Sequence, residues 1–156
     1  MLSRTHFIFN LMIFLILLKL KVFGFSFNWI ILLIFFIATL LPDIDVAGSW
    51  MSKKTKPLSN FLHVFVAHRE VFHSLAFALL AGLITFLISQ NWAYALLATF
   101  FYLLHLLLDC ATKSGVGLFW PFEVRIKGKI KTGGLIEAIF FAFFALVCIV
   151  LTFIML

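Results

Sequence analysis

Long apolar stretches occupy most of this 156-residue chain, and they constrain its fold more than any other feature. A helix that crosses a bilayer needs about 20 mostly apolar residues, with roughly 17 to 25 tolerated. Five stretches come close to that length, approximately 5–22, 25–41, 71–89, 92–109 and 134–156. The pattern predicts an all-α, polytopic membrane helix bundle with about five transmembrane helices.

The composition excludes a soluble globular domain. Hydrophobic residues make up 65% of the chain and charged residues 12%, and the mean hydropathy is +1.21, so there are too few polar side chains to cover a core. We expect one integral membrane domain over residues 1–156. A signal peptide is a competing interpretation of the first stretch, because Arg4 precedes an apolar run, but no small-residue cleavage site follows between Lys19 and Phe25.

The basic residues predict the orientation of the bundle. With five spans, ten of the twelve Lys and Arg residues fall on one face, at the amino terminus and in the loops 42–70 and 110–133. By the positive-inside rule this face is cytoplasmic, which puts the amino terminus in the cytoplasm and the carboxyl terminus outside. Arg125 and its basic neighbours in the last loop would fix topology or attract anionic lipid. Alternation from Val124 to Lys131 also allows a small hairpin over this face.

All the acidic residues and histidines fall on this same face, although only the basic residues were used to define it. Loops hold polar residues of any kind, which accounts for several of them, but His73, His105 and Asp109 lie within or at the ends of apolar helices, where ionisable groups are costly and usually functional. The distribution favours a metal site at the cytoplasmic membrane surface. The eleven residues are His6, Asp43, Asp45, His63, His68, Glu70, His73, His105, Asp109, Glu123 and Glu137.

Two short motifs carry the candidate ligands most clearly. His105 and Asp109 are four residues apart on a predicted helix, so both side chains can reach one cation; an aspartate hydrogen-bonded to a neighbouring histidine is the simpler alternative. Asp43 and Asp45 follow Pro42 directly after the second span, where two carboxylates favour ligation over helix capping or a turn.

A third motif runs from His68 to Ser74. If a helix begins near Val71, His68 can fold back from the loop and join His73 at one centre. Arg69 would then bind an anion with its fork of donors. Ser74 could act as a nucleophile, but adjacent residues on a helix diverge, so a hydrogen-bonding role that supports His73 is preferred.

The ordered motifs resemble those of the YdjM-like family of membrane-bound, metal-dependent hydrolases. The resemblance covers positions 4–122 and rests on an early histidine, Pro-Asp-Ile-Asp, His-Arg followed by His-Ser, His-x-x-x-Asp, and Gly115 with Trp120-Pro121-Phe122. It implies a ligand set that Arg69 and Ser74 accompany, with Phe72 as a departure where the family often has Thr. The implied ligands are His6, Asp43, Asp45, His68, His73, His105 and Asp109.

A more distant likeness to the zinc-dependent phospholipase C and single-strand nuclease group implies fewer metals here than in those enzymes. They carry two helical histidine-acid pairs, whereas Glu137 has Gly133, not histidine, four residues before it. One or two ions are therefore expected. Imidazole and carboxylate ligands suit Zn²⁺, with Mn²⁺ or Fe²⁺ as competitors.

The predicted function is a hydrolase in which metal-activated water attacks a phosphate or acyl ester of a lipid-like substrate. Asp43 or Asp45 would be ligand or general base and Arg69 would stabilise the developing anion. A site at headgroup depth favours membrane lipids as partners, with a phospholipid or isoprenoid phosphate as substrate. A non-catalytic protein with a structural metal, or less favourably a metal-ion transporter, is the alternative. No DNA-binding motif is visible, so nucleic acid is not an expected partner.

Overall fold

The computed structural model describes residues 1–22, 28–45, 71–122 and 124–155. This part of the chain forms five α-helices, which confirms the predicted all-α class, and no strand longer than a single bridge occurs within it. The helices are α1 (Ser3–Lys19), α2 (Trp29–Leu40), α3 (Leu75–Ser89), α4 (Trp92–Cys110) and α5 (Leu135–Met155).

Helix α4 is the centre of the bundle. It packs against α3, α2 and α1, and α1 packs in turn against α5. The core between α1, α2 and α4 is aromatic: Phe14 and Phe35 stack with ring centroids 4.8 Å apart, and Phe35 meets Phe101 edge-on at 5.2 Å. Such ring pairs add to the burial of apolar area, so they fix how these three helices are arranged.

The outer surface of the bundle is apolar. Of the 21 residues of α5 only Glu137 and Cys148 are buried, so the helix presents leucine, isoleucine and phenylalanine side chains outward along its length. A surface of this kind is suited to lipid. Among the described helices, α4 and α5 are long and apolar enough to cross a bilayer, whereas Trp29–Asp43 and Leu75–Ser89 are apolar but shorter.

Local capping moves the start of α3 away from its predicted position. The predicted span began at Val71, but the helix begins at Leu75 because Ser74 is its N-cap: the Ser74 hydroxyl accepts from the Phe77 amide at 3.2 Å and donates to the Val71 carbonyl at 2.7 Å. His73 therefore lies in the turn before the helix, not inside it as expected. At the end of α2 the chain tightens into a 3₁₀ turn, Leu41–Asp45, that runs through Pro42.

The connection between α4 and α5 folds onto itself differently from the predicted hairpin. Residues 124–131 do not pair with one another across Gly128; instead Val116 pairs with Ile126 and Thr112 pairs with Ile130. Glycine makes this close packing feasible, since a Cβ at position 128 would lie 2.2 Å from the Ala111 carbonyl oxygen. The hairpin prediction is wrong because these longer-range pairs use the same backbone groups.

Candidate metal centre

Imidazole and carboxylate side chains from four parts of the fold converge at one end of the bundle. All of them are buried, and Asp109, at 8% relative exposure, is the most accessible. The converging residues are His6 near the start of α1, Asp43 in the turn after α2, His73 before α3, and His105 and Asp109 near the end of α4.

Asp109 is in contact with three histidines. Its Oδ1 lies 3.1 Å from His6 Nε2, and its Oδ2 lies 3.4 Å from His73 Nε2 and 3.7 Å from His105 Nε2. The amino group of Met1 also contacts Oδ1. A carboxylate at the carboxyl end of a helix is disfavoured by the helix dipole, so the positive charge of the Met1 amino group stabilises Asp109, as a bound cation would.

A hydrogen bond to the backbone fixes the ring of His105. Its Nδ1 lies 2.9 Å from the Thr39 carbonyl oxygen, which can only accept, so Nδ1 carries the proton. The lone pair on Nε2 is then directed toward Asp43 Oδ1, 3.7 Å away, and toward Asp109. Metal-binding histidines are commonly oriented through the opposite ring nitrogen in this way.

The donor atoms have the spacing of a metal coordination shell. Ligands at zinc distances of about 2.0–2.1 Å in a tetrahedron stand about 3.4 Å apart, close to the distances around Asp109. Within the described part of the chain, His6 Nε2 and His105 Nε2 are buried and make no hydrogen bond of ordinary geometry. Buried polar atoms are rarely left in this state, so a cation between these groups fits the site.

Two groups of three residues could each hold an ion, and His105 belongs to both. One group is His6, His105 and Asp109, and the other is Asp43, His73 and His105. One imidazole nitrogen binds one ion, so His105 cannot serve both groups at once. Either both groups bind one shared ion, or they bind two neighbouring ions, and the two oxygens of Asp109 could each bind one of these. The chemistry of the donors suits Zn²⁺.

A buried polar layer lies beneath the centre and was not predicted as part of it. The Asn10 amide donates to Thr39 Oγ1 and to the Phe101 carbonyl, both at 3.1 Å, and so joins α1, α2 and α4. Asn10 lies one helical turn after His6, on the same face. The four-residue spacing from His6 could have indicated that Asn10 lies near the centre. In the sequence, however, Asn10 is only a polar residue within an apolar stretch.

Glu137 joins the beginnings of α1 and α5. It is 1% exposed, and its two oxygens accept from the Leu2 amide at 2.7 Å and from the Gly133 amide at 2.6 Å. Glu137 thereby holds the start of α1, and with it His6, against the bundle. Its place on the common face was predicted, but its partners are backbone amides that no side-chain motif reveals.

Several of the predicted residues lie outside the described part of the chain. They are His63, His68, Arg69, Glu70 and Glu123. The side chain of Asp45 is also outside the described part. The hydroxyl of Ser74 is engaged in the N-cap of α3. Arg125, predicted only as a topology or lipid-binding residue, lines a pocket together with His73 and Asp109.

Comparison with known proteins gives a family match over the whole chain. A family model described as YdjM inner membrane protein matches residues 1–156. The inner membrane protein YdjM of Escherichia coli (strain K12) is 38% identical over 96 residues, covering 56% of this chain and 47% of the relative, and YdjM of Shigella flexneri gives the same values. The chain thus spans about half the length of these relatives.

A further relative comes from Bacillus subtilis (strain 168). The uncharacterized protein YvsG is 30% identical over 110 residues, which cover 68% of each chain. No solved structure matches this chain.

Proposed function

The chain belongs to the YdjM family of inner membrane proteins, and on that premise we propose that it is a membrane-embedded, metal-dependent hydrolase. The observation that supports this most is the convergence of His6, Asp43, His73, His105 and Asp109 at one end of an apolar bundle. Buried ionisable groups are expensive in such a setting, and a bound cation would offset that cost.

The proposal includes the orientation of the bundle. Five spans form one domain, with the amino terminus in the cytoplasm, the carboxyl terminus outside, and the centre at the cytoplasmic surface of the inner membrane. The support is that the candidate ligands occupy the same end of the bundle as ten of the twelve basic residues would under this topology.

The proposed cofactor is one or two divalent ions, with Zn²⁺ preferred over Mn²⁺ and Fe²⁺. A bound ion would supply Lewis acidity and water of lowered pKa. His105 is held by Thr39 to offer one nitrogen lone pair, and Asp109 offers two oxygens to its neighbours. Asp43, buried in the turn after α2, would be a ligand or accept a proton from the attacking water. The sequence also predicts four further residues of the site, which we keep in the proposal: Asp45, His68, Arg69 and Ser74.

An apolar groove supports a lipid-like substrate. It lies between α2, α3 and α4, has a volume of about 250 Å³, and runs from Ile88 to Leu41, two residues before Asp43. From Phe77 to Ile88 the groove follows α3 for about 16 Å, close to half of the roughly 30 Å hydrocarbon core. We propose that one hydrocarbon chain of a membrane lipid lies here while the ester reaches the centre.

The decisive assay uses purified protein in phosphatidylcholine nanodiscs. We expect hydrolysis of a lipid phosphate ester or acyl ester that a chelator abolishes and Zn²⁺ restores, and a loss of at least about 100-fold in H105Q. C148A is the matched control, because Cys148 is buried in α5 and belongs to neither group of candidate ligands. Equal activity in H105Q and C148A would contradict the proposal.

A structural metal site is the second candidate function. Five described side chains converge, which is enough to fill all four positions around a zinc ion with protein atoms. X-ray absorption of the zinc-loaded protein distinguishes the hydrolase from the structural metal site. Loss of an oxygen ligand of the zinc ion when an inhibitory anion is added supports the hydrolase. A shell of four ligands that does not change supports the structural role.

A further inference from the structure

A small pocket opens directly beside the candidate metal centre. Its volume is about 40 Å³, and it is lined by His73, Asp109, residues 114–117 and Arg125. The pocket wall thus includes Arg125 together with two of the candidate ligands. A pocket of this size suits a single oxyanion group better than a bulky ligand.

Backbone pairing holds Arg125 at this position. The next residue, Ile126, exchanges two hydrogen bonds of 3.0 Å with Val116, one in each direction. Gly115 permits the contact, since a Cβ there would lie 2.5 Å from the Ile126 carbonyl oxygen, and its φ of +64° is in the region that favours glycine. Arg125 is exposed, but its backbone is tied to the wall of the pocket.

The groups that line the pocket suit an anion once the centre is loaded. Among the described side chains of the lining, Asp109 is a candidate ligand and Arg125 carries a guanidinium. A divalent ion held by Asp109 would add positive charge on the side of the pocket where the candidate ligands lie. A guanidinium is always protonated and its paired donors match the oxygens of a phosphate.

We propose that this pocket is a phosphate-binding subsite in which Arg125 holds the non-bridging oxygens of a phosphomonoester. The inference rests on the proposed function and narrows its substrate from phosphate or acyl esters to phosphate esters. Arg125 orients the phosphoryl group against the centre formed by His73, His105 and Asp109. The phosphate could belong to a lipid headgroup or to a soluble phosphomonoester, since the chemistry of the contact is the same.

The test measures binding of inorganic phosphate to the zinc-loaded full-length protein in phosphatidylcholine nanodiscs. An ion at the centre also attracts phosphate, so the informative comparison is between R125Q and K129Q, which removes a charge from the same segment but not from the pocket lining. We expect R125Q to weaken phosphate binding at least about tenfold and K129Q to stay within about twofold of the wild type. R125K, which keeps the charge without the fork, should lie between them.

The zinc content of each variant separates this inference from the proposed function. If zinc-loaded R125Q binds phosphate as tightly as the wild type, the subsite is overturned and the metal centre is unaffected. The same conclusion follows if the zinc-loaded wild type binds no phosphate. Should R125Q fail to fold, wild-type affinity in R125K would overturn recognition by the guanidinium. Zinc retained by H105Q would instead contradict the centre itself.

Displacement of bound phosphate then distinguishes the source. Phosphatidic acid added to the nanodiscs and soluble glycerol 3-phosphate serve as competitors. Stronger competition by phosphatidic acid supports a lipid headgroup, and stronger competition by glycerol 3-phosphate supports a soluble phosphomonoester. Failure of both to compete overturns phosphomonoester binding.

Discussion

At the scale of single residues, the histidines and aspartates of the centre could be proposed from the sequence, whereas the residues that hold them in place could not. His105 and Asp109 are related by helical spacing, which is visible in the sequence. The Thr39 carbonyl that orients His105, and the Phe101 carbonyl that accepts from the Asn10 amide beneath it, act through contacts between distant elements. Backbone partners of this kind leave no motif.

Glu137 gives a prediction at this scale. E137A removes the charged acceptor of two partly buried hydrogen bonds, those from the Leu2 and Gly133 amides, so we expect the free energy of unfolding to fall by about 2 kcal/mol. E137Q retains one acceptor and should lie between E137A and the wild type. Denaturation of the detergent-solubilised protein measures the effect.

The matched control for this prediction is T152A on the same helix. The Thr152 hydroxyl donates to the Cys148 carbonyl within α5, and it makes no hydrogen bond to another of the described elements. We expect it to change the unfolding free energy by less than about 0.5 kcal/mol. E137A as stable as T152A would show that Glu137 does not anchor α1.

At the scale of elements, apolar length predicted the helices well where nothing local intervened. The stretch 92–109 forms α4, Trp92–Cys110, and the stretch 134–156 forms α5, Leu135–Met155. The start of α3 was missed because one hydroxyl, that of Ser74, caps the helix, which therefore begins four residues later than hydropathy indicates. Hydropathy averages over many residues, while a cap depends on one side chain.

The contact between α3 and α4 yields a prediction about packing. Gly82 faces α4 so closely that an added Cβ would lie 2.0 Å from Thr99 Oγ1 and 3.2 Å from the Ala95 carbonyl oxygen. G82A should therefore separate the two helices and destabilise the protein by about 1–3 kcal/mol. Thermal unfolding in detergent gives the measurement.

A double variant tests whether this contact is the cause. Removing the Thr99 hydroxyl relieves the nearer clash, so G82A/T99A should recover part of the stability lost in G82A. L79A, at an outward-facing position of the same helix that is 65% exposed, should have little effect in detergent. G82A with wild-type stability would contradict the close packing.

At the scale of the whole molecule, composition was sufficient to predict a membrane protein, and the family match and the apolar surface of α5 agree with it. The convergence of polar groups at one end could also be anticipated, because alternate helices return to the same face. The pocket beside the centre could not. It depends on residues 111–116 pairing with 126–130, which local sequence pattern does not specify.

The proposed orientation is tested by labelling with a membrane-impermeant maleimide in right-side-out vesicles. In a C110A/C148A background, Q90C in the α3–α4 turn should react before permeabilisation, because the proposed orientation puts that turn outside. K129C in the α4–α5 connection should react only afterwards. The reverse pattern would contradict the cytoplasmic placement of the centre.

The central claim, a metal centre built on His105 and Asp109, is tested most directly by elemental analysis of protein purified without chelators. We predict about one to two zinc ions per chain in the wild type and in C148A, and less than about a tenth of that in H105Q and D109N. Zinc bound equally by all four proteins, or by none of them, would contradict the account.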